Sequence, residues 1–334
     1  MGSSILSTAR RTRRVLGAAA LVLAAALGLA STTATAAKLT LAIADLPAFT
    51  PALLAEAEGY FAAEGLDLKI IHCVNGRRCL QHLIDGEADA ATVADTPIVL
   101  AAHAGARFEI LGTMTTSREH RLLARADRGV RSLADLKGRR VGIIKGTSGH
   151  YFVDASLALG ALDPATVTLL PLPPGEIVDR LVAGDIDAAG LYQPLARDAV
   201  LRLGARGAVL ADSRYYAATM NLVGRLAPAL SDDDATRLLR ALRRACALIQ
   251  SQPARARAQL AHQLKLDPSV VDAVWPDYEF RITLEQTLIT TMESESRWAM
   301  REGLVTNLQM PDYLDRVRPG PLRALDRRAV TLVK

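Results

Sequence analysis

The segment Lys145-Gly-Thr-Ser-Gly-His150 follows the apolar run Val141–Ile144. Gly146 can turn the chain, and a helix opening at Gly149 and His150 leaves its first N–H groups without intrahelical acceptors. With the hydroxyls of Thr147 and Ser148 beside them, those donors suit a compact anion such as a sulfonate or nitrate. The competing reading is an ordinarily capped helix. The GxxxxGK[ST] order of a phosphate-binding loop is absent.

Asn75-Gly-Arg-Arg-Cys79 offers a second donor set. Gly76 permits a tight turn. Arg77 or Arg78 can form a charge-assisted bond to an anionic oxygen, the alternative being a guanidinium in solvent. Cys73 and Cys79 are six positions apart, and a local disulfide is expected in an oxidising compartment. Such a bridge would hold the loop in shape. The residues His72, Cys73, Cys79 and His82 lack a familiar zinc spacing.

Other candidates stand at helix starts and strand ends. Thr96 can donate to a ligand or cap a helix. Asp95 would repel a plain inorganic anion, so it fits a solute with a cationic or hydroxyl end, or else caps or accepts a local arginine. Tyr192 and Gln193 precede Pro194, and Tyr192 can pack against an aliphatic portion. Glu176 follows Gly175 at another helix start, where its charge favours the dipole. Tyr215 and Tyr216 lie near a chain crossing. Phe49, just after the first strand, reads as a pocket wall or as core.

A hydrolase needs a nucleophile with a relay. There is no GxSxG elbow, and the spacing of Ser148 and His150 does not make one. His120, His150 and His262 declare no metal cluster. No cofactor is expected.

The scaffold for these residues alternates. Strands are read at 38–44, 66–71, 88–93 and in Phe108–Met114, with helices between them. A second series has strands in Arg139–Ile144, Val167–Leu170, Ile186–Leu191 and Ala208–Asp212. This favours α/β architecture with parallel-rich sheets, whose ligands sit beyond the carboxyl ends of the strands. An internal echo supports two related halves: Leu83-Ile-Asp-Gly-Glu-Ala-Asp-Ala-Ala-Thr92 and Leu181-Val-Ala-Gly-Asp-Ile-Asp-Ala-Ala-Gly190. Asp89 and Asp187 recur in it and are assigned to turns or caps. After Tyr215 come a returning strand and three amphipathic helices.

Composition narrows the partners. Residues 1–36 carry Arg10, Arg11, Arg13 and Arg14, then an apolar run, then Ala34-Thr-Ala36, which is the order of an export signal. Removing them takes the formal charge from +5 to +1 and removes most of the case for nucleic acid. The row Arg237, Arg240, Arg243 and Arg244 therefore reads as a solvated helix face. Aromatic residues are only 4% of the chain, which argues against large flat ligands.

The ordered motifs Ala55–Ile70, Leu83–Pro97, Ser132–Phe152 and Pro171–Pro194 resemble the periplasmic substrate-binding proteins of the nitrate, sulfonate and taurine class of ABC importers. The resemblance covers roughly 39–312. It implies a two-lobed type II periplasmic binding protein fold, with lobe one at 38–122 plus 220–320 and lobe two at 123–219. It implies a small anionic or zwitterionic solute held between the lobes, a permease in the inner membrane as partner, a periplasmic monomer and no catalytic step. Thr147, Ser148, Gly149 and His150 would then face the cleft, and Glu176 would border it. A sulfonate such as taurine or an alkanesulfonate is the expected solute. Nitrate or a pyrimidine, a sensory role and an exported hydrolase are the alternatives.

Overall fold

The strand–helix alternation builds two separate sheets. The structure is a computed structural model and describes residues 38–333; the export signal expected at 1–36 lies outside the described residues. The first run is β1 (Lys38–Ala44), α1 (Thr50–Ala57), α2 (Tyr60–Ala63), β2 (Asp67–Cys73), α3 (Gly76–Ile84), β3 (Ala90–Ala94), α4 (Asp95–His103) and β4 (Phe108–Ser117). The second is β5 (Arg121–Arg125), β6 (Arg140–Ile143), α5 (Ser148–Leu159), β7 (Thr168–Pro171), α6 (Pro174–Ala183), β8 (Ala188–Leu191), α7 (Leu195–Leu203) and β9 (Gly207–Asp212). The chain then returns as β10 (Ala218–Arg225), α8 (Asp232–Ser251), α9 (Pro253–Leu264), α10 (Pro268–Val274), β11 (Tyr278–Thr283), α11 (Gln286–Arg301) and α12 (Gly320–Leu325).

The six-stranded sheet of the first lobe has the order β11-β4-β10-β3-β1-β2, and the five-stranded sheet of the second has β7-β6-β8-β5-β9. In the first, β1 runs parallel to β2 and β3, while β10 is antiparallel to β3 and β4. In the second, β6 runs parallel to β7 and β8, and β5 is antiparallel to β8 and β9. The sequence reading did not anticipate β5 or β11. Arginines bound β5 and hide its buried Leu122–Ala124 centre; the structure pairs Arg121 with Asp277 and Arg125 with Asp127.

The echoed phrases do the same work in each lobe. The backbone N–H of Asp89 donates to Thr40 O of β1, and its carboxylate accepts from Thr40 N at 2.7 Å. Asp187 repeats this on β6: its N–H donates to Arg140 O, and its carboxylate accepts from Arg140 N at 2.9 Å. Each aspartate therefore sutures the strand it opens to the first parallel strand of its lobe. This registers β3 and β8 so that their carboxyl ends face the same gap.

Small residues in these strands let helices approach closely. A Cβ on Gly190 would lie 2.1 Å from Val153 Cγ2 and 3.2 Å from Gly149 O, so only glycine lets α5 sit this near β8.

Two linkers join the lobes, residues 118–120 and 213–217. They are bonded to each other: His120 N donates to Ser213 Oγ at 2.9 Å, and the Ser213 hydroxyl donates to His120 O at 3.1 Å. Helix α8 closes the first lobe, with Leu238, Leu239 and Leu242 in the core. Its arginine face is tethered rather than merely solvated. Arg240 and Arg244 hold Glu64 at 2.9 and 3.2 Å, and Arg244 also lies over the Tyr60 ring. Among the described residues no helix is long and apolar enough to cross a membrane.

Candidate functional site: a cavity between the lobes

The carboxyl ends of β1, β2, β3, β6 and β8 converge on a narrow cavity. The first lobe contributes Phe49, Asn75, Gly76, Arg77, Pro97 and Met220 to its wall. The second contributes Thr147, Ser148 and Tyr192, and the first linker contributes Glu119. Polar groups thus converge from both lobes and the hinge, which is the usual design of a small-solute site.

Helix α5 brings its N-terminal end to the cavity. Its first N–H groups, Ser148 and Gly149, and that of Thr147 have no acceptor among the described residues. With the positive end of a twelve-residue helix behind them, they favour negative charge. The hydroxyls behave differently from expectation. Thr147 Oγ1 donates its one proton to Ile144 O at 2.7 Å, so its side chain has none left for a solute. Ser148 Oγ lies 3.0 Å from His120 Nε2. His120 is fully enclosed and its Nδ1 has no partner. A buried unpaired N–H costs more than a bare lone pair. The favoured tautomer therefore has Nε2–H donating to Ser148 Oγ, which frees the serine proton to point into the cavity. Burial, with Arg121 nearby, lowers the basicity of His120 to about 3. With Nε2–H donating, the ring turns no lone pair toward Ser148, and its lowered basicity makes it a weak base.

The loop from Cys73 to Cys79 carries Asn75, Gly76 and Arg77 to the opposite wall, and the two cysteines are joined as a disulfide with Cα atoms 5.6 Å apart. Asn75 caps α3 by accepting from Arg78 N at 3.0 Å. A Cβ on Gly76 would lie 2.9 Å from Val93 Cα, so the loop needs glycine to lie against β3. Arg77 Nη1 crosses to the other lobe and donates to Lys145 O at 3.2 Å.

Several expected site residues lie elsewhere. Arg78 is exposed on the outer side of α3 and does not line the cavity. Asp95 points away from it, because β10 passes on that side: its carboxylate accepts from Thr219 N at 2.7 Å and from the Tyr216 hydroxyl at 3.1 Å. Thr96 does not cap α4; it donates to Glu295 Oε1 at 2.7 Å. Burial raises both Asp95 and Glu295, and the Asp95 carboxylate beside it raises Glu295 further. Gly149 offers only its backbone N–H, and His150 lies behind Ser148. His150 packs edge-on to Trp298 with centroids 5.0 Å apart, and burial lowers its basicity to about 4. Glu176 is exposed at the start of α6. Gln193 is turned into the hinge, donating to Asp277 Oδ2 at 3.1 Å. Tyr215 is 75% exposed, whereas Tyr216 is the buried member of that pair.

Sequence reasoning missed Glu119. It sits in Arg118-Glu-His-Arg121, a charged stretch resembling a surface turn, and only its role as interlobe linker encloses it. Asn75 was part of a recognised loop but its cap was not foreseen. Leu46, Pro97 and Met220 carry no chemical signature.

The lobes also meet away from the cavity. Arg301 of α11 pairs with Asp154 of α5 at 2.6 Å, and Tyr151 stacks edge-on with Trp298 and Tyr216.

Comparison with known proteins agrees with this architecture. A binding protein of Brucella abortus (strain 2308) is 28% identical over 153 residues, 46% of this chain. The chain spans about half the length of that curated relative, 47%. The taurine-binding periplasmic protein of Escherichia coli (strain K12) is 27% identical over 164 residues, covering 49% of this chain and 50% of that protein. The alkanesulfonate-binding protein SsuA from Xanthomonas axonopodis pv. citri, solved bound to MOPS, superposes with a TM-score of 0.74 at 21% identity, covering 86% of this chain and all of that one. At that identity the likeness speaks for the two-lobed fold alone. The family described as NMT1/THI5 like matches residues 46–256, from the first wall of the cavity at Leu46 through the whole second lobe into α9. On that match the chain belongs to the NMT1/THI5-like family.

Proposed function

We propose that this protein is the exported solute-binding component of an ABC importer, capturing a small sulfonate-like solute such as taurine or an alkanesulfonate and presenting it to a membrane permease. The observation that carries the reading is the convergence of the open N–H groups of α5 and the Ser148 hydroxyl with Arg77 from the other lobe on one enclosed cavity. A tetrahedral anionic head fits such a donor set, and lobe closure removes water from it. Residues 1–36 serve as the export signal, and the periplasm is the working compartment; the Cys73–Cys79 bridge suits an oxidising one.

The test is calorimetry on the exported protein, stripped of bound solute, with taurine, ethanesulfonate, nitrate and a hydroxymethylpyrimidine as titrants. Saturable one-to-one binding of a sulfonate supports the reading. Tight nitrate or pyrimidine binding with silent sulfonates replaces the solute and keeps the transport role. Arg77→Ala should weaken sulfonate binding about tenfold, since it removes one partly exposed charged donor and an interlobe contact. Unchanged affinity in that variant would take Arg77 out of the site.

A further inference from the structure

Two opposite charges in the cavity lack an ionic partner. Arg77 has no carboxylate within salt-bridge distance among the described residues and bonds only to a carbonyl. Glu119 is 3% exposed, lines the cavity and has no Lys, Arg or His nitrogen within that distance among the described residues. The Tyr278 hydroxyl donates to Oε2, and Ser117 and the Gln193 N–H also favour the ionised form, but all three partners are neutral. Arg121, two residues on, is engaged elsewhere, pairing with Asp277 at 2.8 Å. The buried Tyr192 hydroxyl at the cavity has no hydrogen-bond partner of good geometry among the described residues, Asn75 being its neighbour there.

A buried carboxylate without a cation is costly unless a ligand or a proton compensates it. An alkanesulfonate seated on α5 would place hydrocarbon or nothing against Glu119. A solute with a protonated amine at its other end would match both poles. We propose that Glu119 is the specificity-determining residue of the cavity and selects dipolar solutes, amino-sulfonates or similar amino acids, over anions that lack the amine. The inference rests on the solute-binding reading above.

Protonation of Glu119 supplies a signature. Burial pushes its carboxyl up to about 7, against the lowering pull of the Tyr278 hydroxyl and with the help of Asp277. The charged and titratable groups facing it are Tyr278 and Asp277 at the start of β11, Arg121 of β5 and Tyr192 after β8. His120 beside it is neutral above pH of about 3. An ammonium group binds the ionised carboxylate. Amine-bearing solutes should therefore bind more weakly as pH falls below 7, approaching tenfold per unit, as the ionised fraction declines.

The experiment titrates two matched pairs, taurine with ethanesulfonate and β-alanine with propionate, into the exported full-length product and its Glu119→Gln variant, from pH 6 to 8. The amine-bearing member should bind at least tenfold more tightly in the wild type at pH 8. Glutamine should bring the pair within threefold without weakening the amine-free member. The wild-type preference should shrink on acidification, a readout that needs no variant to fold. Equal binding within a pair, a preference that survives Glu119→Gln, or one that grows at low pH overturns the proposal. If only the carboxylate pair binds, with the amine preference intact and lost in Gln, the sulfonate reading falls and Glu119 keeps its role. Silence from all four solutes overturns both.

Discussion

Ser148→Asp should abolish sulfonate binding, with an affinity loss of a hundredfold or more, while the start of α5 offsets only part of the cost of burying the new carboxylate, so that the melting temperature falls modestly. The two effects have one cause. An aspartate at the first position of α5 places its own carboxylate against the open N–H groups of Ser148 and Gly149 and beside His120. There it is stabilised by the helix dipole by about 0.3–1 kcal/mol. It also occupies the anion seat with like charge in an enclosed cavity, where repulsion and lost donors together exceed about 3 kcal/mol. Thermal melting and sulfonate titration on the same preparation measure both. A variant that still binds within tenfold of the wild type removes α5 from the site. Ser148→Ala separates the contributions: it keeps the backbone donors, loses the hydroxyl, and should weaken binding only about tenfold.

The second large effect belongs to the disulfide. Replacing Cys73 and Cys79 together by alanine releases a very short loop, and the chain-entropy account predicts a loss of about 2 kcal/mol. Both cysteines are buried, so alanine introduces no unpaired polar group. The melting temperature should fall by a few degrees. Affinity should fall about tenfold as well, because Asn75, Gly76 and Arg77 must then be ordered by the solute instead of by the bridge. Reduction of the wild type with a thiol should reproduce both changes. If stability drops and affinity does not, the loop is a structural clasp that leaves the pocket indifferent.

Much of this architecture was readable before any coordinates. Hydrophobic periodicity with Gly and Pro punctuation located the alternating elements, and the echoed phrases marked equivalent places in two lobes. The cavity gathers Phe49, Gly76, Arg77, Thr147, Ser148 and Tyr192, all candidates from their positions at strand ends. What local pattern could not decide was direction. Asp95 begins a helix at the rim, yet the antiparallel return of β10 captures its carboxylate from behind. Tyr215 and Tyr216 are identical in type and adjacent, and only the path of the second linker decides which is enclosed. The sequence offers Asp95 as the carboxylate for a cationic end of the solute, and the structure puts a different carboxylate on the cavity wall. Asp95 is enclosed in the first lobe, whereas Glu119 lies in a charged stretch that becomes a wall only when two sheets close on it.

The paired bonds between His120 and Ser213 have a mechanical consequence. Two linkers stitched side by side can flex about a common axis, but the stitch resists torsion and sliding of one lobe past the other. His120 is also the residue bonded to Ser148, and Glu119 precedes it on the same linker. Ser148, at the start of α5, and Glu119, on the cavity wall, are thus both fastened to the pivot itself. On the solute-binding reading proposed above, a single bending stroke would loosen both ends of a captured molecule together, and a Ser213→Ala variant, which removes the stitch, should release its solute faster.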